Sequence, residues 1–103
     1  SRLYKQAMQT LIDIGTLIVQ TPGVCGGRPR IAGHRLTVHN VAIAVNSGMT
    51  PEEILAEKPL LTRAEIYAAL AYYYANQAAI DADIQADDLE FDQLEAEYKA
   101  QRL

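Results

Sequence analysis

The one dense cluster of side chains able to do chemistry lies between residues 25 and 39. There Arg28, Arg30, His34, Arg35 and His39 share a stretch with Cys25 and the glycines Gly26, Gly27 and Gly33. Arginine offers a planar fork of donors that matches phosphate, and glycine lets a backbone approach a phosphate closely or follow a groove. No P-loop results, because neither the G-x-x-x-x-G-K spacing nor a following Ser/Thr is present. A nucleophilic site is poorly served as well. His34 and His39 have no Ser, Cys or carboxylate in triad-like order beside them, and Cys25 sits among glycines without an activating base. One cysteine and two histidines are too few for a zinc cage, and the acidic tail lacks a D-x-[DN]-x-[DN]-G run for calcium. The sequence therefore points to a binding protein, not an enzyme, with no metal and no cofactor. Two readings of the arginines stay open. Either the arm contacts DNA, or Arg28 or Arg35 pairs with an acid such as Glu52 or Glu53 and braces the turns.

The charge is lopsided. Residues 1–48 carry five bases (Arg2, Lys5, Arg28, Arg30, Arg35) against one acid, Asp13, whereas residues 49–103 carry four bases against twelve acids. A basic half attracts phosphate or an acidic protein, and an acidic half repels nucleic acid. With 103 residues, half of them apolar, a single domain over residues 1–103 with one real core is expected. No stretch of 18 apolar residues occurs, and Lys5, Gln6, Gln9, Thr10 and Asp13 interrupt the first twenty, so no membrane association and a cytoplasmic location are expected.

The elements that must position the cluster are mostly helical. Leu3/Tyr4, Ala7/Met8, Leu11 and Ile14 recur at helical spacing, predicting an N-terminal helix over 3–14 that Gly15 ends. Residues 16–36 read as an extended Gly/Pro/Arg arm or small hairpin. Residues 37–80 read as a three-helix core. Thr37 caps its first helix, which Gly48 stops; Thr50-Pro51-Glu52-Glu53 opens a short second helix ended by Pro59; Thr62-Arg63-Ala64-Glu65 opens the longest, with helical spacing kept through Ile84. A further acidic helix over 87–102 restarts at Asp87 and lines up Phe91, Leu94 and Tyr98. Helices joined by short turns, the middle one short, are the pattern of a helix-turn-helix, with 62 onward in the recognition position. There Arg63 and Tyr67 are the candidates to face DNA, although Glu65 suits a phosphate-lined groove poorly.

A more specific pattern spans the arm and the turns. The order Pro22, Val24, Cys25, Gly26, Gly27, Arg28, Pro29, Ile31, Gly33, Arg35, Val38, then Gly48, Met49, Thr50, Glu52, Glu53, Ile54, Pro59, Leu61, Thr62, Ile66 and Ala69 resembles the family catalogued as domain of unknown function 433, from about residue 18 to residue 75. The resemblance implies a homeodomain-like three-helix bundle. It also implies an antitoxin-like role beside a PIN-like nuclease toxin. His34 stands where that family usually has threonine, and Lys58 where an aromatic commonly precedes Pro59.

The remaining candidates face a protein. Tyr72, Tyr73 and Tyr74 in succession wrap more than half of a helix and cannot all enter one core, which leaves Tyr72 and Tyr74 for an interface. Phe91, Leu94 and Tyr98, ringed by acids, suit a basic-rimmed groove on a partner or a fold-back onto the same domain. The expectation is thus an all-α, homeodomain-like bundle with extra terminal helices and a short extended arm. It acts as a homodimeric, antitoxin-like or regulator-like binding module, with operator DNA on Arg28, Arg30, His34, Arg35, Arg63 and Tyr67, and a nuclease-like protein on Tyr72, Tyr74, Phe91, Leu94 and Tyr98. The alternative is a protein-only interaction module.

Overall fold

Three threonines set the starts of three helices. In the computed structural model, which describes residues 10–102, Thr37, Thr50 and Thr62 each occupy an N-cap in extended backbone. Each hydroxyl accepts from the N–H three residues on, and the side chain at that position, Asn40, Glu53 or Glu65, accepts from the cap's own N–H. Reciprocal capping of this kind satisfies donors that a helix start otherwise leaves open, so the boundaries are fixed locally. The helices are α1 (Val38–Asn46), α2 (Pro51–Glu57) and α3 (Arg63–Ala75). Gly48, at φ +107°, carries the chain out of α1 in a conformation few other residues adopt.

A fourth helix, α4, runs from Gln77 to Arg102 without interruption. The expected break near Asp87 is absent, and the chain turns instead at Asn76. There the side-chain amide of Asn76 donates to the carbonyl of Tyr72, and its backbone N–H reaches Tyr72 and Tyr73. The spacing of Ile80 and Ile84 therefore belongs to α4, not to the end of α3.

The arm is a small hairpin. Strand β1 (Ile18–Val19) pairs antiparallel with β2 (Arg30–Ile31), Ile18 opposite Ile31, and Arg30 also bridges to Thr37. Mostly helical with a two-stranded sheet is the accurate description of the described residues, rather than all-α. Between the strands Cys25 sits at φ +50°, and its thiol lies 3.4 Å from the Arg35 carbonyl. The cysteine is thus a small structural group tying the two ends of the arm.

The core is where the arm meets the helices. Ile31 from β2, Val38 and Val41 from α1, Ile66 and Tyr73 from α3 are essentially inaccessible, and Ile54, Leu61 and Ile80 close the edges. α3 touches α1, α2, α4 and both strands, so its Ile66–Ala69/Leu70–Tyr73 stripe is the centre of the packing.

The expected helix over 3–14 lies largely outside the described residues. Of its described part, Thr10 to Asp13 is not helical, and Ile14–Thr16 forms a single 3₁₀ turn capped by the Asp13 carboxylate on the Gly15 N–H. Gly15 is inside that turn and ends no helix. Leu11, Ile12 and Ile14 are 90%, 73% and 62% exposed, so little apolar burial favours a helix over the described part of that stripe, and a short helix without packing is unstable in water.

Truncating the centre and the periphery of this core should give different costs. Ile66→Ala is expected to lower unfolding free energy by about 2–5 kcal/mol, and Leu11→Ala to stay within about 0.5 kcal/mol, both read by urea denaturation.

Candidate functional site

α4 is held to the domain by one face and then leaves it. Ile80 is buried and Ile84 is half-buried against the core. Three polar contacts reinforce that face. The Tyr73 hydroxyl donates to Asp81 at 2.6 Å, His39 Nε2 lies 3.0 Å from Asp83, and Arg28 donates two bonds to Asp87 at 2.8 and 3.1 Å. His39 is 3% exposed, and its Nδ1 has no partner among the described residues. Holding a proton on Nε2 for Asp83 leaves that buried nitrogen as an unfilled acceptor, a smaller penalty than a buried unpaired N–H. The forked pair of Arg28 with Asp87 shifts both groups, chiefly through the hydrogen bonds they share. The carboxyl is held below its ordinary value and the guanidinium above.

Beyond Asp87 every residue of α4 is exposed. Residues 88–102 extend for roughly 20 Å at 1.5 Å per residue. Leu89, Phe91, Leu94 and Tyr98 are all more than half exposed there. Phe91, Leu94 and Tyr98 fall on the line of Ile80 and Ile84, so the stripe that seats α4 on its own core continues past the core's edge. At 100° per residue, Asp88 and Glu95 flank it on one side and Glu90 and Glu97 on the other.

The basic cluster is largely consumed inside the molecule. Arg28 is spent on Asp87. Arg30 donates to the His34 carbonyl and the Thr21 hydroxyl at 3.0 and 3.2 Å, bracing the hairpin, and Arg63 pairs with Glu52 at 3.1 Å. The brace expected from Glu52 or Glu53 to the arm is thus made by Asp87, from another helix. His34 Nε2 stands 3.8 Å from Glu65. The side chains of Arg35 and Lys58 have no hydrogen-bond or ion-pair partner among the described residues.

Arg35 and Lys58 meet at one place. A concavity of about 580 Å³ between the end of the arm and the turn from α2 to α3 is lined by His34, Arg35, Leu36, Asn40, Glu57, Lys58, Pro59, Leu60 and Leu61. Leu60, in that lining, is 86% exposed. Arg63 and Tyr67 do not line it, although Tyr67 is 47% exposed on α3. The tyrosines divide as their succession requires: Tyr73 is buried, Tyr72 packs half-buried on the core, and Tyr74 is exposed.

Residues 18–73 match the family described as "Protein of unknown function (DUF433)". The chain belongs to the DUF433 family. A crystal structure of a DUF433 member from Anabaena variabilis ATCC 29413 is similar at 36% identity with a TM-score of 0.65, over 82% of this chain and 77% of that one. No curated protein matches the chain. The region shared with the DUF433 family holds the hairpin, the groove and α1–α3, whereas α4 lies beyond it. No helix among the described residues is long and apolar enough to cross a membrane, and no cluster of three metal-ligating side chains forms among them.

Asp83 and Asp87, as the α4 partners of His39 and Arg28, and Leu60, in the lining of the groove, escaped the sequence reading. A signal existed for two of them, since Asp83 and Asp87 stand four apart beside Ile80 and Ile84 on one helical face. Lys58 and His34, both singled out in the sequence, line the groove.

Because Asp87 is depressed in the folded state, the clasp contributes above the usual carboxylate range and is lost as pH falls below it, near ~4 and under. Protection factors for amide exchange over residues 80–90, each taken against the intrinsic rate at the same pH, should fall on acidification through that range. Asp87→Asn should bring the lower protection to neutral pH and flatten the dependence.

Proposed function

We propose that this DUF433 protein is a non-catalytic, antitoxin-like binding module whose C-terminal helix is laid into a basic-rimmed groove of a protein partner. The observation that carries the reading is the projection of residues 88–102, with Phe91, Leu94 and Tyr98 at 66%, 56% and 59% exposure and acids on both flanks. An exposed apolar stripe that nothing in its own domain can cover is suited to a groove on another protein. Acidic flanks favour a positively charged rim, such as a nucleic-acid-cleaving enzyme needs for its substrate. The family resemblance supplies a PIN-like nuclease as the expected partner class. Tyr74, exposed on α3, and Tyr72 add aromatic surface near the core.

A regulator-like reading with operator DNA is the second one. It draws support from the order of α1, α2 and α3, which suits a homeodomain-like helix-turn-helix, and from Arg35, Lys58 and His34 on one groove. Against it stand the commitments of Arg28, Arg30 and Arg63 to groups of the protein itself, which leave few cations for phosphate. Arg63 on α3 is engaged with Glu52 where a recognition helix would meet bases.

The experiment uses the tagged full chain in its native host. Retention of a nuclease-like protein by the wild type, lost on replacing Phe91 and Leu94 by Ala, is the expected result, each anchor being worth on the order of 2 kcal/mol or roughly thirtyfold in Kd. Retention of DNA that weakens steeply with salt, and survives both replacements, would overturn the protein-binding reading in favour of the second.

A further inference from the structure

Five cations lie between Thr10 and Ala75, and the fold uses three of them. Arg28, Arg30 and Arg63 bind groups of the protein itself. The two without partners among the described residues, Arg35 and Lys58, come from different elements and face one groove. His34 joins them in the lining, and Leu36, Pro59, Leu60 and Leu61 supply its apolar surface, with Leu60 86% exposed. Glu57 is the one acid in the lining. The groove is therefore an apolar trough with a mostly basic rim, the complement of what residues 88–102 present.

That segment cannot reach the groove of its own chain. α4 is one unbroken helix from Gln77 to Arg102, and its first turns are fixed to α1, α3 and the arm by Ile80, Asp81, Asp83 and Asp87. Folding 88–102 back onto its own domain would require breaking the helix where no proline or glycine stands. The groove lies at the start of α3, near His34 and Glu65, whereas α4 departs from the other end of α3, about 20 Å away at 1.5 Å per residue. Charge also disfavours two tails pairing with each other. Residues 88–102 hold five acids, and their two bases are engaged within the same helix, Lys99 with Glu95 and Arg102 against Tyr98.

We infer that the groove of one copy receives the acidic C-terminal helix of a second copy, so that two chains exchange residues 88–102 reciprocally. Phe91 and Leu94 sit against Leu60, and Arg35 and Lys58 meet the carboxylates flanking the stripe. One helix in one groove is small beside the ~800 Å² per partner of a standard interface, and a two-fold arrangement makes the junction twice. The inference rests on the reading of α4 as a docking helix and names what covers that helix when no foreign partner is bound.

Sedimentation velocity of the purified full chain, over roughly micromolar to several hundred micromolar concentrations, tests it. The wild type should be a dimer. The double variant Arg35→Glu/Lys58→Glu and the double variant Phe91→Ala/Leu94→Ala should each dimerise at least about tenfold more weakly. All four positions are away from the buried core, and unchanged circular dichroism and urea midpoints check that both variants fold. An equimolar mixture of the two variants should form a heterodimer that is tighter than either variant's homodimer and weaker than the wild type, because one of the two junctions remains intact. A monomeric wild type over the whole range overturns the inference, as does a dimer indifferent to both variants or a mixture without heterodimer. The groove variant separates this from the proposed function, since it leaves the tail whole. If it still retains the nuclease-like partner while the wild type proves monomeric, the exchange falls and the docking helix stands. If the tail variant retains that partner, the docking reading falls by itself.

Discussion

Tyr73 joins the helical core to the helix that leaves it. Its ring is 1% exposed at the centre of α3, and its hydroxyl accepts from the Asn46 amide of α1 at 3.1 Å while donating to Asp81 of α4 at 2.6 Å. A buried phenol needs such partners, because an unsatisfied hydroxyl in the core costs about 1–3 kcal/mol. Meeting that need orients α4 against α1 and α3 within its first turns. Everything farther along α4 inherits this direction, because a helix without proline or glycine is close to rigid over a few turns. The placement of Phe91, Leu94 and Tyr98 in solvent thus follows from one hydrogen-bonded ring some twenty residues earlier, fastened again by His39 on Asp83 and Arg28 on Asp87.

What could be read in the sequence was what local chemistry decides. The capping boxes at Thr50 and Thr62 declare themselves within four residues, Thr37 reads as a cap, and each helix begins where its threonine stands. The hairpin was legible for a similar reason, since Pro29, Gly33 and the β-branched run at Ile18 and Val19 leave few other conformations. What could not be read depended on distant partners. Tyr73, before Asn76, and Ile80 and Ile84, after it, keep helical spacing across the turn, so periodicity has nothing to mark it there, and the cluster Asp87-Asp88 imitated a helix start that the continuous helix overrides. Arg28 and Asp87 are 59 positions apart, and no spacing rule connects them. The described end of the N-terminal stripe departs in the opposite sense: its periodicity is real, but Leu11 and Ile12 are exposed and the chain from Thr10 to Asp13 is not helical.

The candidate site was legible by residue type and illegible by allocation. Five basic groups in the arm suggested phosphate, yet a charge is available to a ligand only after the fold has taken its share. Arg30 is used as a hydrogen-bond brace between Thr21 and the carbonyl of His34, a role its forked geometry fits and lysine's does not. Arg28 is a fastener between the hairpin and α4. Exposed ion pairs such as Arg63 with Glu52, at 70% and 57% exposure, add little to stability. They still set a carboxylate beside a cation that would otherwise face a polyanion. The positive field left over is small and local, and it faces a groove with apolar residues in its lining.

That residue of charge bears on which kind of surface the C-terminal helix prefers. Lys99 and Arg102 fold onto Glu95 and Tyr98 of their own helix, so the outward character of residues 88–102 is carboxylate around an aromatic and aliphatic stripe. Such a surface is repelled by DNA and by its own likeness, and its apolar residues are too few to bind a flat face on area alone. A concave, basic-rimmed site satisfies both terms at once, because concavity buries the stripe on more than one side and the rim keeps the flanking carboxylates paired while they lose water. Fixed by the clasp at Asp81, Asp83 and Asp87, the helix meets such a site already ordered, so the backbone entropy of forming it is not charged against the binding.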